Sequence, residues 1–211
     1  MSWERPLEIL ADTDVQLVGR RVIDFGFGTT DDLLPLVRAG AIVTGIELET
    51  PKVRPDVLPR EPALLPTSVT LLRGHFPTQL RHEVGTDASL FLFKNVLKRG
   101  LLEHGLVQLG VPESEFLAAV GEALRPRGVV LSYNFRPAPP AAGAPPTPWA
   151  DGRSPFRREH WEAFGFEVLA FDTDDTAGAR AWAWRLRWHE SEERLDIERD
   201  LFASYCLLRK R

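Results

Sequence analysis

A glycine turn between an apolar strand and an amphipathic helix constrains this sequence more than any other feature. The segment 21–25 (RVIDF) is typical of a strand, and it stops at the turn 26–28 (GFG). Because glycine has no Cβ, the backbone can turn sharply there and approach a ligand closely. A helix is predicted next, with Thr30 as its N-cap and Gly40 as its stop. This unit predicts an open α/β sheet that binds a ligand at the carboxyl ends of its strands.

Short apolar runs alternate with amphipathic stretches along the rest of the chain, as they do in a parallel sheet with helical crossovers. The later strands are predicted at 41–48, 69–72, 89–93, 129–133, 166–171 and 202–208. Further helices are predicted at 112–124, at 155–164 and at 175–199, the last broken near 189–191. We therefore predict one α/β domain spanning residues 1–211.

Two proline-rich stretches interrupt this alternation. Residues 50–66 contain five prolines, which remove amide donors and break helices, so this crossover is predicted to be irregular. Residues 136–155 are rich in Pro, Ala and Gly and lie inside the domain. A long structureless loop in that position is usually functional or mobile. We predict a lid loop over 136–155.

Three tryptophans mark a predicted helical insertion at 175–200. They are Trp182, Trp184 and Trp188, and the four-residue spacing predicts that Trp184 and Trp188 share a helix face while Trp182 points elsewhere. Core packing, an apolar cap over a substrate and a dimer surface all explain such a group. The sequence leaves these alternatives open.

The charge balance argues against a nucleic-acid partner. The chain has 26 basic and 30 acidic residues, a net charge of −4, whereas nucleic-acid-binding proteins normally show a basic excess. The basic end 209–211 (RKR) is interpreted either as a solvated terminus or as a weak anion patch.

Several features predict a cytoplasmic protein. Cys206 is the sole cysteine, so no disulfide forms within one chain and a reducing compartment is favoured. The start of the sequence (MSWERPLEIL) carries charge and proline where a signal peptide needs an apolar run. No stretch approaches the ~18 apolar residues of a membrane span. We expect no membrane contact and no metal site, and a homodimer is left open.

Carboxylates near the glycine turn indicate which nucleotide it holds. Glu47 ends the second predicted strand, where a carboxylate accepts hydrogen bonds from a ribose diol. A dinucleotide fingerprint needs a third glycine at the position of Asp31. Asp31 and Asp32 would also repel a pyrophosphate at the helix N-terminus. Together with Asp24 just before the turn, they favour a phosphate-free nucleoside that carries a sulfonium, S-adenosylmethionine, over NAD.

The same residues carry a resemblance to the class I S-adenosylmethionine-dependent methyltransferases. The likeness covers roughly residues 20–135 and lies in five segments: 22–29 (VIDFGFGT), 43–47 (VTGIE), Gly74-His75, 94–97 (KNVL) and 123–129 (ALRPRGV). They are similar to the family's first motif, its ribose-binding acid, its adenine contact, its motif beside the methyl group and its loop before the fifth strand. Thr30 stands where the first motif often has glycine, and His75 replaces the acid of the adenine contact.

This resemblance implies a doubly wound, seven-stranded, mostly parallel sheet with an antiparallel last strand. It also implies that the cofactor is S-adenosylmethionine, converted to S-adenosylhomocysteine, and that the reaction is an in-line methyl transfer. The implied cofactor-binding residues are Asp24, Gly26, Phe27, Gly28, Thr29, Glu47, Leu48, Gly74, His75, Phe76, Lys94 and Asn95.

Candidates for the acceptor side follow the predicted strands at their carboxyl ends. The candidate catalytic residues are Lys94, Asn95, Tyr133, Asn134, Asp151 and Arg153, with His104 and Asp175 as weaker candidates for a base. Each also has an ordinary structural interpretation as a cap, surface or core residue. We predict a small-molecule acceptor. A catalytically silent binding protein is the alternative, and an NAD(P)-dependent oxidoreductase is a further one, opposed by Asp31.

Overall fold

A computed structural model gives the architecture, and it describes residues 4–28, 30–47, 68–136, 151–190 and 196–211. The strands are β1 Arg21–Phe25, β2 Ile42–Glu47, β3 Val69–Arg73, β4 Ala88–Lys94, β5 Leu124–Arg136, β6 Phe166–Asp174 and β7 Phe202–Lys210. They form one sheet of seven strands in the order β3-β2-β1-β4-β5-β7-β6. Strand β7 is antiparallel to β5 and β6, and the other pairs are parallel. The predicted α/β fold is confirmed.

Helices cover both faces of this sheet. The α-helices of the described ranges are Glu4–Ala11, Leu34–Arg38, Arg81–Val84, Arg99–Glu103, Glu113–Ala123, Arg158–Ala163, Thr176–Arg185 and Ile197–Asp200, with 3₁₀ helices at Thr30–Leu33 and Trp188–Glu190. Within those ranges, no helix combines the length and the apolar character that crossing a bilayer requires.

The central strand β4 shows why the sheet is buried on both sides. Its residues (ASLFLFK) are all buried. Leu90 and Leu92 belong to one core cluster, and Phe91 and Phe93 belong to the cluster on the other face. Alternation of the side chains thus fills two cores, as in parallel sheets covered by helices. The strand order reverses between β1 and β4, and open α/β sheets bind ligands at such a switch point.

The helix after the glycine turn begins later than the sequence predicts. A 3₁₀ helix Thr30–Leu33 comes first, and the α-helix starts at Leu34 with Leu33, not Thr30, as its N-cap. Pro35 has no amide hydrogen to donate, so it is suited to the first turn of an α-helix. The α-helix accordingly begins one residue before it, at Leu34. The helix ends before Gly40, which has a φ of 83°, as predicted.

Other boundaries also move. Strand β5 is longer than predicted because its antiparallel pairing with β7 continues from Val129 to Arg136. The helix predicted at 155–164 is shorter because Arg157 has an extended backbone and caps a helix that starts at Arg158. The stretches 48–67, 137–150 and 191–195, and therefore most of the predicted lid 136–155, lie outside the described residues.

The prediction that Trp184 and Trp188 share a helix face is wrong. The helix ends at Arg185, and Arg187 takes a φ of 58°, which turns Trp188 back toward Trp182. The rings of Trp182 and Trp188 meet edge to face at 4.8 Å, and Trp182 also stacks on Phe135 at 5.5 Å. Trp182 is therefore a core residue, whereas Trp184 is 46% exposed.

Candidate functional site

A cavity of about 400 Å³ lies at the carboxyl ends of β1 to β4. Its size falls within the range of small-molecule sites. It is lined by Phe25, Gly26, Ile46, Glu47, Gly74, His75, Phe76, Val96, Gly105, Leu106, Val107, Gln108 and Leu109. Five residues that the resemblance assigns to the cofactor are thereby brought together: Gly26, Glu47, Gly74, His75 and Phe76.

The glycine turn forms one wall of this cavity. Gly26 and Gly28 have φ values of 72° and 71°, a conformation that side chains with a Cβ rarely adopt. A Cβ on Gly26 would lie 2.6 Å from Cγ2 of Val96. The turn therefore requires glycine at position 26 for two reasons, its φ and the close approach of Val96.

Both glycine amides of the turn are used inside the protein. The Gly26 N–H donates to the Ile46 carbonyl at 2.8 Å. The Gly28 N–H donates to Oε2 of Glu47 at 3.0 Å. In a dinucleotide-binding turn, such backbone amides point at the pyrophosphate. Here the carboxylate of Glu47 occupies the place where such a phosphate would accept a hydrogen bond.

Glu47 and the loop after β3 form the rim of the cavity. Glu47 ends β2, and its carbonyl accepts a hydrogen bond from the Gly74 N–H at 3.1 Å. The His75 N–H donates to the side chain of Gln79 at 2.8 Å, which fixes the loop. The carboxylate of Glu47 and the ring of His75 therefore stand on adjacent strand ends of one cavity.

The segment Gly105–Leu109 forms an apolar wall that the sequence analysis missed. It follows the helix Arg99–Glu103 and presents Leu106, Val107 and Leu109 to the cavity, with Leu106 58% exposed. One signal in the sequence could have predicted this wall. It is a group of apolar residues between Gly105 and Gly110, in a segment that follows a strand at the carboxyl edge of the sheet. None of the described residues that line the cavity is lysine or arginine.

Five described residues assigned to the cofactor do not line this cavity: Asp24, Phe27, Gly28, Lys94 and Asn95. The ring of Phe27 is 1% exposed and packs against Gly45, where a Cβ would come within 2.7 Å of it. Its side chain therefore serves the core. Asp24 is fully buried on β1 and does not line the cavity. Thr29 and Leu48 lie outside the described residues.

Lys94 forms a salt bridge with Asp32 across the end of the sheet. Its Nζ lies 2.8 Å from Oδ1 of Asp32, and the two side chains are 6% and 12% exposed. The charge of Asp32 is thus compensated, so its expected repulsion of a phosphate no longer supports the choice of cofactor. That argument depends instead on the glycine amides, which are already bonded, and on the described lining residues, which include no lysine or arginine.

The loop after β4 is fastened to the end of β5. The side-chain oxygen of Asn95 accepts from the Phe135 N–H at 2.7 Å, and the Asn95 N–H donates to the Tyr133 carbonyl at 3.1 Å. The buried Lys98 donates to the carbonyl of Phe135. The amide of Asn134 donates to the carbonyls of Leu97 and Gly152 at 3.1 Å and 2.9 Å. Asn95 and Asn134 therefore hold the two strand ends in fixed positions.

Tyr133 and Asp175 belong to a buried network with Arg5. The Tyr133 hydroxyl donates to Oδ2 of Asp175 at 2.5 Å, and Arg5 binds the same carboxylate with two donors at 2.9 Å and 2.5 Å. Burial, with a further contribution from Asp175, raises the pKa of Tyr133. This network ties the helix Glu4–Ala11 to the end of the sheet.

Asp151 and Arg153 pair with each other. Arg153 donates to both carboxylate oxygens of Asp151, at 2.9 Å and 2.7 Å, and this contact lowers the pKa of Asp151. The carbonyls of both residues accept hydrogen bonds from the first amides of the helix Arg99–Glu103. They therefore cap that helix. The catalytic assignments of Lys94, Asn95, Tyr133, Asn134, Asp151 and Arg153 stay predictions.

Comparison with known proteins identifies the fold. No family model and no curated protein matches the sequence. Solved structures do match, among them the 4+2 cyclase SpnF (TM-score 0.59, 20% identity, covering 100% of this chain and 83% of that one). An S-adenosylmethionine-dependent methyltransferase from Mesorhizobium loti matches with a TM-score of 0.55 and 15% identity, covering 98% of both chains.

A third match contains ligands. It is the 1,6-didemethyltoxoflavin-N1-methyltransferase from Burkholderia thailandensis with bound 1,6-didemethyltoxoflavin and S-adenosylhomocysteine (TM-score 0.54, 15% identity, covering 98% of this chain and 76% of that one). The strand order and these likenesses show that this chain has the class I S-adenosylmethionine-dependent methyltransferase fold.

Proposed function

We propose that this protein is an S-adenosylmethionine-dependent methyltransferase that acts on a small molecule. The observation that carries the proposal is the cavity at the switch point of the sheet. It combines a carboxylate, Glu47, with apolar walls, and the described residues that line it include no lysine or arginine. Such a lining suits a phosphate-free nucleoside with a cationic sulfonium group better than it suits a phosphate.

The same observation argues against a nicotinamide cofactor. A dinucleotide needs donors for its pyrophosphate, usually the amides of the glycine turn. In this chain those of Gly26 and Gly28 are bound to Ile46 and Glu47. A pyrophosphate would therefore have to displace the Glu47 carboxylate that faces the same turn.

Each part of the cavity has a role under this proposal. Glu47 binds the ribose diol, since a carboxylate accepts hydrogen bonds from both hydroxyls. The wall Gly105–Leu109 and Phe76 pack on the adenine, with His75 at its edge. When bound, S-adenosylmethionine supplies an electrophilic methyl group. The loop after β4, fastened to β5 through Asn95, keeps the acceptor in line with that group, and such alignment lowers a barrier by up to ~10 kcal/mol.

A small-molecule acceptor is supported by two observations. The chain carries a net charge of −4, which disfavours a nucleic acid. The Burkholderia thailandensis methyltransferase of the same fold is seen with 1,6-didemethyltoxoflavin bound.

The first test is ligand-dependent thermal stability. We expect S-adenosylhomocysteine at 100 times its dissociation constant to raise the Tm by roughly 5–10 °C, which corresponds to ~2.7 kcal/mol. NAD and NADP should leave the Tm unchanged. Glu47→Ala should remove most of the shift, because the ribose then loses its acceptor. A shift with NAD and none with S-adenosylhomocysteine would overturn the proposal.

Glu167→Ala is the matched control for that substitution. Glu167 is an exposed acid on β6, away from the cavity, so the variant loses the same charge and should keep the full shift. An unchanged shift in Glu47→Ala would reject the ribose assignment. Incubation with S-adenosylmethionine and candidate acceptors, followed by mass spectrometry for S-adenosylhomocysteine, then tests the transfer itself.

A binding protein without methyl transfer is the second candidate. The match to the cyclase SpnF shows that a protein of this fold can be named for a reaction other than methyl transfer, so the fold alone does not decide against this candidate. This candidate predicts the same thermal shift with S-adenosylhomocysteine but no methylated product from any acceptor.

A further inference from the structure

A second polar hollow lies at the opposite, amino edge of the sheet. It has a volume of about 150 Å³ and is lined by Asp14, Val15, Ser89, Arg125, Pro126 and Arg127. Ser89 lies near the start of β4, whereas Lys94 at its end lies at the cofactor edge. The five residue steps between them span roughly 16 Å. The hollow is thus separate from the cavity described above.

Two buried polar atoms of the residues that line this hollow have no hydrogen-bond partner among the described residues. They are the hydroxyl of Ser89, a residue that is 2% exposed, and the Nε of Arg125. Nearly all buried polar groups in proteins are bonded, so each exception needs an explanation. Both atoms can donate a hydrogen bond, and Nε can do nothing else. Because Ser89 and Arg125 line the same hollow, their two donors indicate a ligand there that accepts hydrogen bonds.

The charges around the hollow have the sign that an anion requires. Asp14 accepts hydrogen bonds from Arg127 at 3.1 Å and from Arg209 at 2.6 Å. No ion pair involves the guanidinium of Arg125 in the part of the chain that the structure describes. Two guanidinium groups therefore pair with the Asp14 carboxylate, and that of Arg125 lines the same hollow. Nε of Arg209 is a further buried donor without a partner among the described residues.

The position of Arg209 also bears on the two interpretations of the basic end of the sequence. Arg209 pairs with Asp14, and Lys210 donates to the carbonyl of Leu124 at 2.6 Å. Both residues lie in β7. A solvated terminus is therefore wrong for these two residues, and the anion patch stays a prediction.

We propose that this hollow binds a tetrahedral oxyanion, a phosphate group. Guanidinium groups donate to phosphate oxygens in a planar fork, and Arg125 is available for that contact. Ser89 would donate from the floor. The volume admits one phosphate group but is smaller than the pockets that hold whole nucleotides or drug-sized ligands. Free phosphate and a phosphate monoester share this chemistry.

Calorimetric titration at constant ionic strength tests the site. Inorganic phosphate and glycerol 3-phosphate are the two probes, with sodium chloride as the balancing salt and acetate as a planar control. We expect saturable 1:1 binding of at least one phosphate probe and none of acetate. Tighter binding of phosphate identifies the free ion as the ligand, whereas tighter binding of glycerol 3-phosphate identifies a monoester. Absence of saturable binding with both would overturn the proposal.

Two variants and a control locate the binding. Arg125→Ala should weaken phosphate binding about tenfold or more, since a charged donor is lost. Ser89→Ala should weaken it severalfold yet leave the Tm unchanged or raised, because it removes a buried hydroxyl that lacks a partner. Arg157→Ala, an exposed arginine outside the hollow, should bind as the parent does. Equal losses in Arg157→Ala and Arg125→Ala, or unchanged binding in Ser89→Ala, would overturn the assignment.

Discussion

Replacing Gly26 by alanine is expected to lower the free energy of unfolding by about 2–5 kcal/mol and to abolish nucleoside binding. Two costs add. The φ of 72° strains a residue with a Cβ by about 1–2 kcal/mol. The new Cβ would also stand 2.6 Å from Cγ2 of Val96, and overpacking of this kind costs about 1–3 kcal/mol. Because Val96 lines the cavity, its displacement narrows the proposed cofactor site.

Gly28→Ala is the matched control. Gly28 has nearly the same φ, 71°, but apart from its chain neighbours no atom of the described residues lies within 4 Å of its added Cβ. This variant should therefore lose only the strain of about 1–2 kcal/mol. The double variant Gly26→Ala with Val96→Ala should recover only the part of the loss that comes from the Cγ atoms of Val96, because Cβ of residue 96 stays 3.0 Å from the new Cβ. Urea unfolding measures all three, and a Gly26→Ala variant no less stable than Gly28→Ala would contradict the account.

The glycine turn and the sheet were predictable from the sequence because their causes are local. Strand β4 is buried on both faces, so its residues read as one apolar run. Gly26 and Gly28 mark the turn because only glycine suits their φ values. Glu47 follows at the end of the next strand, where parallel strands present their carboxyl ends together.

Contacts distant in sequence were not predictable. Asp175 follows a strand end, the position expected of a catalytic base, yet Arg5, 170 residues away, binds its carboxylate. Asp32 was counted as a free negative charge, but its partner Lys94 comes from another strand end. In both cases the chemistry of a side chain depends on which partner the sheet places beside it. Local spacing carries no information about that partner.

The wall Gly105–Leu109 escaped prediction for a different reason. It is neither helix nor strand in the structure, so no periodicity marks it. Only its position after β4, at the edge where ligands bind, makes it part of a site.

The difference in free energy of unfolding between the parent and Lys98→Met is expected to change by about 3 kcal/mol as the pH rises from about 8 to about 10.5. Lys98 is 6% exposed, and its described hydrogen-bond partner is the uncharged carbonyl of Phe135. Burial without a counter-charge lowers the pKa of its ammonium from 10.5 to about 8. A displacement of that size corresponds to about 3 kcal/mol.

The sign follows from proton binding. Between about pH 8 and pH 10.5 the unfolded chain keeps the proton on Lys98 while the folded chain has released it. The unfolded state then binds more protons, so stability contributed by Lys98 rises with pH over this window and is constant on either side. Relative to Lys98→Met, the parent should gain about 3 kcal/mol as the pH rises through this window. Cys206, whose pKa burial raises to about 12, is present in both proteins, so its opposite effect cancels in the difference.

Lys210→Met is the control for this difference. The ammonium of Lys210 also donates to a backbone carbonyl, that of Leu124, but Lys210 is only half-buried. Losing the same kind of hydrogen bond should lower stability, so this variant measures the cost of that bond apart from the burial of Lys98. Urea unfolding at intervals from pH 7 to about pH 10.5 measures both differences. A Lys98→Met difference that stays constant across that range would mean that an anion or water solvates this ammonium in the folded protein, and burial would then not control its protonation.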